Sequence, residues 1–362
     1  MKPTTQIADY LVIGQGLAGT LLAHFLIKKG QRVIVADHFH TGAASKIAAG
    51  LINPVTGKRQ VKSWRIVELL PEAAATFAEL ENLLNIKINH PRRLIRVLKN
   101  AGEENTWLAR SADPSYQSYF LENADASEFE GSTHDFFAFG ELQKCSQNDL
   151  ATLLAAYRGY LESRGILLSE KIDYQSFTFE NELVFYKNFQ FKNVVFCEGA
   201  AAVHNPFFNY LPFQISKGEA LIIEIPDAGF SKIFKHGIAI VPLENNRYWV
   251  GSTNSWDLPD DLPSENAKKE LLQSLHEILK IPFKVVEHKA AFRPTVLDRR
   301  PLLGRHPEFS NLFIFNGLGT KGASLGPLFA KKMAAFLIEN KPLDAEVDVG
   351  RFKRSMRVDE GV

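Results

Sequence analysis

The most informative segment near the start of the chain reads Tyr10-Leu11-Val12-Ile13-Gly14-Gln15-Gly16-Leu17-Ala18-Gly19. Its first four residues are apolar, as in a buried parallel strand, and they run directly into the glycine pattern GxGxxG. A helix-like segment at residues 20–29 and a second apolar strand at residues 32–36 follow. This order of strand, glycine turn, helix and strand predicts a Rossmann-like βαβ unit.

Each glycine of this turn has a separate physical task. Gly14 permits the tight turn out of the strand, Gly16 lets the backbone approach a pyrophosphate, and Gly19 lets the helix pack closely on the sheet. The start of the helix offers free N–H groups to a phosphate. Asp37 ends the second strand, where a carboxylate can accept a hydrogen bond from a ribose hydroxyl. The unit therefore predicts a dinucleotide site; the acid disfavours NADP, while FAD and NAD both remain open.

Composition and charge argue against several other classes of protein. The 362 residues are 45% hydrophobic and 23% charged, which is typical of a soluble globular chain with two lobes. A net charge of +1 gives no field to gather nucleic acid, and the basic clusters at residues 91–93 and 351–354 are typical of solvated faces. Two cysteines, Cys145 and Cys197, make neither a disulfide framework nor a zinc set. We expect no metal site, no signal peptide, no transmembrane segment and a cytoplasmic location.

A second glycine-rich turn lies near the other end of the chain. An apolar run at residues 312–315 precedes Asn316-Gly317-Leu318-Gly319-Thr320-Lys321-Gly322, and a helix-like segment is expected at residues 328–338. The closely spaced glycines let the backbone approach a flat ligand, and a helix start stabilises partial negative charge there. Two such turns, about three hundred residues apart, fit one long cofactor held at both ends.

The loop after the first unit makes a family resemblance specific. It reads Thr41-Gly42-Ala43-Ala44-Ser45-Lys46-Ile47-Ala48-Ala49-Gly50-Leu51. A glycine-rich βαβ start followed by this loop resembles the D-amino-acid oxidase family of FAD-dependent flavoproteins, above all its glycine oxidase and sarcosine oxidase branches. Val194-Val195-Phe196-Cys197-Glu198-Gly199 resembles the second flavin-side strand of that family, with Cys197 in place of the usual small residue.

The resemblance implies an α/β fold with two parts. A Rossmann-like FAD-binding domain, with a parallel sheet and helices, is joined to an α+β substrate domain with a mainly antiparallel sheet. The FAD-binding domain is expected at residues 1–90, 145–215 and 290–362, and the substrate domain at residues 91–144 and 216–289. Within these parts, helices are expected at residues 62–84 and, after an N-cap at Ser146, at residues 147–164.

Motif and resemblance together place the FAD contacts on the two turns, the loop and the second flavin-side strand. The expected residues are Gly14, Gly16, Leu17, Ala18, Gly19, Asp37, Ser45, Ala48, Ala49, Gly50, Leu51, Ile172, Glu198, Gly199, Gly317, Leu318, Gly319, Thr320, Lys321 and Gly322. The family often carries its flavin covalently on a cysteine in the segment that matches residues 293–304. This segment contains no cysteine, so we expect non-covalent FAD.

Three residues are candidates for contact with the reacting substrate. Arg293 matches the Arg-Pro step of the family, which implies a guanidinium that clamps a substrate carboxylate. His236, on the first of two strands expected to pair, lies where glycine oxidase-like sequences place a residue facing the substrate. Lys321 is the third candidate, since a lysine in this turn can face the edge of the flavin ring or a phosphate. Two alternatives remain open: a structural ion pair for Arg293 instead, and a strand-end position without a role for His236.

The resemblance implies oxidation of a C–N bond in a small amine or amino acid, by hydride transfer to flavin N5. Oxygen or another acceptor would then reoxidise the flavin. One alternative is oxidation of a modified tRNA nucleoside side chain, because the Gly-Leu-Gly-Thr-Lys-Gly turn also resembles the oxidase domain of tRNA wobble-uridine modification enzymes. The others are a non-catalytic flavin-binding subunit or sensor and an NAD-dependent dehydrogenase. The oligomeric state stays open.

Overall fold

Two sheets organise the chain in the computed structural model, which describes residues 6–40, 42–257 and 260–352. The strands are β1 (Gln6–Ile13), β2 (Val33–Ala36), β3 (Leu51–Ile52), β4 (Val55–Thr56), β5 (Val61–Lys62), β6 (Asn89–Leu98), β7 (Ala138–Asn148), β8 (Leu167–Leu168), β9 (Phe177–Glu180), β10 (Leu183–Tyr186), β11 (Phe189–Phe196), β12 (Ser216–Glu224), β13 (Ile233–His236), β14 (Ile238–Pro242), β15 (Arg247–Gly251), β16 (Lys284–Arg293), β17 (Leu302–Arg305) and β18 (Leu312–Asn316). The α-helices are α1 (Leu17–Lys28), α2 (Ala44–Ile47), α3 (Ile66–Leu84), α4 (Ala101–Ala112), α5 (Leu150–Ser163), α6 (Glu265–His276) and α7 (Gly322–Glu339).

The first sheet, here called the cofactor sheet, has the order β17-β18-β11-β1-β2-β8, with the hairpin β9–β10 attached to β11. Its central strands β11, β1 and β2 run parallel, and β18 continues the parallel set. Residues 8–13 of β1 and all of β2 are buried, because helices and loops cover both faces of the sheet. The expected Rossmann-like parallel sheet is confirmed.

The second sheet, here called the substrate sheet, has the order β16-β12-β15-β14-β13-β6-β7-β3. Its pairs are antiparallel except for β13 with β6. One face packs on α6, where Leu271 and Leu275 join Leu221, Ile240 and Val250 in one apolar core. The mixed α/β class with a mainly antiparallel second sheet is therefore confirmed. The division into domains stays a prediction; β7 and β16 run across the expected boundaries at 145 and 290.

The expected helix after Ser146 begins later than its sequence signal indicated. Ser146 lies inside β7, which continues to Asn148, and Asp149 is the residue that caps α5. Its carboxylate accepts a hydrogen bond from the backbone N–H of Thr152 at 3.0 Å. The choice of Ser146 was wrong because pairing of β7 with β6 and β3 extends the strand over the first polar residues.

Other element boundaries also differ from the expectation. Helix α3 begins at Ile66 rather than at residue 62, because residues 61–62 form β5 in a small hairpin with β4. Helix α7 begins at Gly322 rather than at residue 328. Helix α4, whose N-cap Asn100 accepts a hydrogen bond from the N–H of Glu103 at 3.0 Å, was not expected at all. Thr41 and residues 353–354 of the second basic cluster lie outside the described residues.

Candidate active site

A cavity of about 820 Å³ lies between the carboxyl ends of the cofactor sheet strands and the open face of the substrate sheet. Its lining comes from segments that are far apart in sequence: 13–18, 36–53, 170–174, 197–204, 215–220, 249–252, 291–294 and 316–323. A volume of this size is typical of sites that bind cofactors and small molecules. The carboxyl ends of parallel strands are also where open α/β sheets bind their ligands.

Two of the three glycines of the first turn, Gly14 and Gly19, have no room for a side chain. Gly14 has a φ of 99°, and a Cβ there would lie 2.5 Å from the carbonyl oxygen of Cys197. A Cβ on Gly19 would lie 1.8 Å from the carbonyl oxygen of Gly14. At Gly16 the nearest atom would be Ser45 Oγ at 3.8 Å, so the space there is open. Gly14 and Gly16 line the cavity, whereas Gly19 lies behind it and lets α1 approach the turn.

The start of α1 is prepared for an anion. Its N-cap is Gly16, which offers no capping side chain, and the backbone N–H of Leu17 donates to Ser45 Oγ at 3.2 Å. Asp37 accepts a hydrogen bond from the backbone N–H of Gln15 at 2.9 Å and pairs with Arg158 at 3.1 Å. These contacts fix the acid at the end of β2 beside the glycine turn, at the end of the cavity that suits a ribose.

The same end of the cavity includes the carboxyl group of Glu198, which the sequence predicts as a cofactor contact. Glu198 accepts hydrogen bonds from the Tyr174 hydroxyl at 2.5 Å and from Asn205 Nδ2 at 2.6 Å. Burial raises the pKa of Glu198, so the neutral acid is favoured relative to an exposed glutamate. Gly199 and Ile172 line the cavity beside it.

The second glycine turn meets the first through the packing of α7 on α1. A Cβ on Gly326 would lie 2.7 Å from Leu21 Cδ1, and one on Gly322 would lie 3.2 Å from Leu17 Cδ2. Small residues on α7 therefore let the two helices approach, which brings both turns to one cavity. Leu318, Gly319, Thr320 and Gly322 line it. Gly317 lies behind it, where a Cβ would meet Val296 Cγ2 at 2.8 Å.

Lys321 does not line the cavity. Its ammonium lies 3.2 Å from Ser63 Oγ and 3.4 Å from Thr56 Oγ1, next to the β4–β5 hairpin. Burial and the nearby charge of Arg300 lower the pKa of Lys321. The structure thus gives this lysine contacts with the hairpin, since the turn at the start of α7 directs the side chain away from the side on which Thr320 and Gly322 face the cavity.

Arg293, the last residue of β16, extends its guanidinium over the backbone of Gly218. Its Nη1 donates to Asn254 Oδ1 at 3.0 Å, and its Nη2 donates to Ser252 Oγ at 2.7 Å and to the carbonyl oxygen of Thr253 at 3.0 Å. Three of its five N–H donors are therefore used by neutral acceptors, and two remain for a ligand. In the part of the chain that the structure describes, Arg293 forms no ion pair with a carboxylate.

His236 lies on the other side of the substrate sheet from the cavity. Its ring centroid is 4.9 Å from that of Phe136, and Phe234 on the same face belongs to the core under α6. The preceding residue, Lys235, lines the cavity. Side chains alternate between the faces of a strand, so Lys235 lies on the cavity face of β13 and His236 lies on the opposite face.

Residues 9–336 match the family described as FAD dependent oxidoreductase (DAO). The chain belongs to this family. It is 23% identical to the uncharacterized oxidoreductase YurR of Bacillus subtilis (strain 168), over 91% of this chain and 95% of that protein. It is 24% identical to the glycine oxidase of the same organism, over 93% of this chain and 95% of that protein. The crystal structure of glycine oxidase from Geobacillus kaustophilus superposes with a TM-score of 0.78 at 24% identity, over 96% of this chain and 98% of that one.

The protein is thus an FAD-dependent oxidoreductase of the DAO family, and its cavity fits that cofactor. The first turn and Asp37 suit the adenosine and pyrophosphate, and Ser45 lies beside them. The loop residues Ala48, Ala49, Gly50 and Leu51, together with the second turn, line the continuation of the cavity towards the substrate sheet. Gly50 has no room for a Cβ, which would lie 1.8 Å from the carbonyl oxygen of Asn148. Helix starts and glycine backbone at both ends match a long anionic cofactor.

Sequence reasoning missed the floor of the cavity at the substrate sheet. This floor is formed by small residues on adjacent strands, Gly218, Ala220, Ala239, Gly251 and Ala291. Trp249 borders it, and its indole N–H donates to the carbonyl oxygen of Ile47 at 2.9 Å. The only sequence signal was the alternation of small and large residues along each strand, which cannot by itself say which face meets the cofactor.

No described helix is long and apolar enough to cross a bilayer.

Proposed function

We propose that this enzyme oxidises the C–N bond of a small amine or amino acid that carries a carboxylate. The observation that carries the proposal is Arg293, a half-buried guanidinium with two N–H donors left at the cavity. Burial lowers the pKa of Arg293, which means that the site disfavours its charge in the absence of an anion. A substrate carboxylate supplies that anion.

The surrounding residues would hold the substrate in place. When bound, FAD supplies the oxidising chemistry by accepting a hydride at its N5 atom. Arg293 would fix the carboxylate, which orients the adjacent carbon towards the second glycine turn. The small residues of the floor leave room for the amine and the carbon that bears it, and Trp249, anchored to Ile47, would help to exclude water.

The experiment is anaerobic addition of amines to the FAD-loaded protein, with loss of the flavin absorbance as the readout. Glycine, sarcosine and D-amino acids form the first set, and carboxymethylaminomethyl-modified tRNA forms a second. We expect bleaching by the amino acids. In Arg293→Ala, transition-state binding of carboxylate substrates should weaken by about 2–5 kcal/mol, because one partner of a charged pair is removed. Amines without a carboxylate provide the control, since their reaction should not depend on Arg293.

The same experiment separates the competing functions. Bleaching by the modified tRNA alone would favour oxidation of a nucleoside side chain and contradict the amino-acid proposal. Absence of bleaching by every amine would favour a flavin-binding subunit or sensor without turnover.

We propose further that FAD is bound non-covalently and that oxygen or another acceptor reoxidises it. The two cysteines are Cys145 and Cys197, both free and buried, and burial raises the pKa of each thiol. Free thiols also support the proposal of a cytoplasmic location. Acid precipitation tests the linkage: the yellow colour should stay in the supernatant, and a yellow pellet would refute non-covalent binding.

A further inference from the structure

The cavity face of the substrate sheet carries two more cations beyond Arg293. Strands β6 and β13 run parallel, and their register pairs Leu94 with Ile233 and Arg96 with Lys235. Residues paired in this way, and residues two apart along a strand, project from the same face. Leu94 and Lys235 line the cavity, so Arg96 lies on that same face beside Lys235.

These two cations are poorly compensated. The Lys235 ammonium donates to the carbonyl oxygen of Gly237 at 2.5 Å, which leaves two of its three N–H donors. Arg96 Nε is buried with no hydrogen-bond partner. Across the described ranges, neither residue forms an ion pair with a carboxylate. Burying a cation without an opposite charge costs free energy, and a bound anion would lower that cost.

Between Lys235 and Arg293 the strands contribute Gly and Ala to the floor, and the indole of Trp249 lies over Gly251, where a Cβ would meet its Cη2 at 2.9 Å. Ala220, Gly251, Ala239 and Lys235 are register partners on β12, β15, β14 and β13 in turn. The guanidinium of Arg293 lies over Gly218 on β12. Three strand spacings, about 14 Å, therefore separate the backbones that carry the two ends of this floor. The arrangement is an elongated surface of Gly and Ala, partly covered by the Trp249 indole, with a cation at each end.

We propose that the substrate is an elongated amino acid with a second carboxylate at its far end, which Lys235 binds while Arg293 holds the first. This inference rests on the proposed function, because it specifies the substrate class of the same site. A glycine-sized substrate would leave the Lys235 end of the floor empty. A long diacid places one negative charge near each cation, with its methylene chain over Ala220 and Ala239 and against the indole of Trp249.

The test measures binding of unreactive acids to the FAD-loaded enzyme, by the shift in its melting temperature and by perturbation of the flavin spectrum. Linear diacids from succinate to suberate are compared with monoacids of equal length. Affinity should rise along the diacid series and exceed that of the matched monoacid. Lys235→Met should weaken suberate roughly tenfold or more, as for loss of a charged hydrogen bond, and leave the monoacids unchanged. Lys284→Met, on an exposed lysine at the start of β16, is the matched control and should change nothing.

A second variant keeps the test informative about charge. Lys235→Glu should reverse the preference, so that acids with a far-end ammonium bind more tightly than diacids, with bound FAD per chain as the check on folding. Equal suberate affinity in the parent and Lys235→Met, or no dependence on diacid length, would overturn the inference. Bleaching by amino acids is measured separately. Its failure would remove the proposed function even if diacids bind as expected, and its success with no diacid preference would remove only the inference.

Discussion

The cofactor end and the substrate end of the cavity are built in different ways. At the cofactor end, the lining is mainly backbone, at Gly14, Gly16 and the turn at 318–320, with side chains such as Asp37 at the rim. At the substrate end, the cavity is a sheet surface whose character depends on Arg293 and Lys235, which lie on strands four places apart in the sheet order. Each part of the first kind of site is a contiguous segment, whereas the second is assembled from single residues on separate strands.

This difference explains how a substitution should act at each end. Adding a side chain to a glycine of the cofactor end pushes one backbone against another, and backbone in a packed turn has little freedom to move. Adding one to Gly218 of the substrate floor pushes against the end of the flexible Arg293 side chain. The first change should affect folding and cofactor binding together, whereas the second should affect the substrate alone.

The largest effect is expected from Gly19→Val. Its Cβ would lie 1.8 Å from the carbonyl oxygen of Gly14 and 3.3 Å from Cys197 Cβ, so α1 must move away from the turn. We expect a loss of about 3 kcal/mol or more in the free energy of unfolding, together with loss of FAD. Flavin content per chain and the urea midpoint measure the two effects.

Gly159→Ala is the control for that substitution. Gly159 lies within α5, and a Cβ there would meet nothing within 4 Å. Alanine should stabilise the helix by about 0.5–1 kcal/mol and leave FAD binding intact. A Gly19→Val protein that purifies yellow with an unchanged urea midpoint would contradict the rigid backbone contact at the cofactor end.

Gly218→Ala should have the next largest effect, at the substrate end. The new Cβ would lie 1.8 Å from Arg293 Nη2, so the guanidinium must leave its position over β12 and its bonds to Asn254 and Ser252. We expect kcat/KM for carboxylate substrates to fall roughly 30-fold or more, which corresponds to about 2 kcal/mol or more. Bound FAD and the reaction of amines without a carboxylate should be unchanged; parallel loss of both would show that the floor also supports the cofactor.

The same contrast decides how much of the molecule the sequence could predict. The segment from Tyr10 to Gly19, and the turn at 317–322, identified the cofactor and the parallel sheet because their recognition depends on contiguous backbone. Arg293, which a motif also indicated, lies at the cavity, and its contact with substrate stays a prediction. The sequence indicated His236, whereas Lys235 is the residue of β13 that lines the cavity, because a shift of one residue exchanges the faces of a strand and nothing local fixes which face meets the cavity. The position of the Lys321 ammonium beside the β4–β5 hairpin could not be predicted for a related reason, since the direction of a side chain at a helix start depends on the elements packed beside it.

A smaller effect is expected from pH, and only at the substrate end. Burial, and then the positive charge of Arg96, lower the pKa of Lys235 to about 8. Arg96 itself faces Glu103 of α4, whose charge favours the guanidinium, so Arg96 stays charged in this range. The Lys235 ammonium is therefore present below pH 8 and lost above it. Suberate affinity of the FAD-loaded enzyme should fall up to about tenfold from pH 7 to 9, while the Lys235→Met variant should show a flat profile over this range.

The smallest effect is expected from His236→Ala, next to Lys235 in the chain but on the opposite face. The imidazole packs against Phe136, and its Nδ1 is buried without a hydrogen-bond partner. Its loss should lower the free energy of unfolding by about 1 kcal/mol through the lost packing. It should leave kcat/KM for amino acids within about twofold, because the ring does not reach the cavity. Urea unfolding and steady-state kinetics separate the two outcomes. A large loss of kcat/KM with unchanged stability would mean that β13 presents His236 to the substrate, and that the face assigned to Lys235 is reversed.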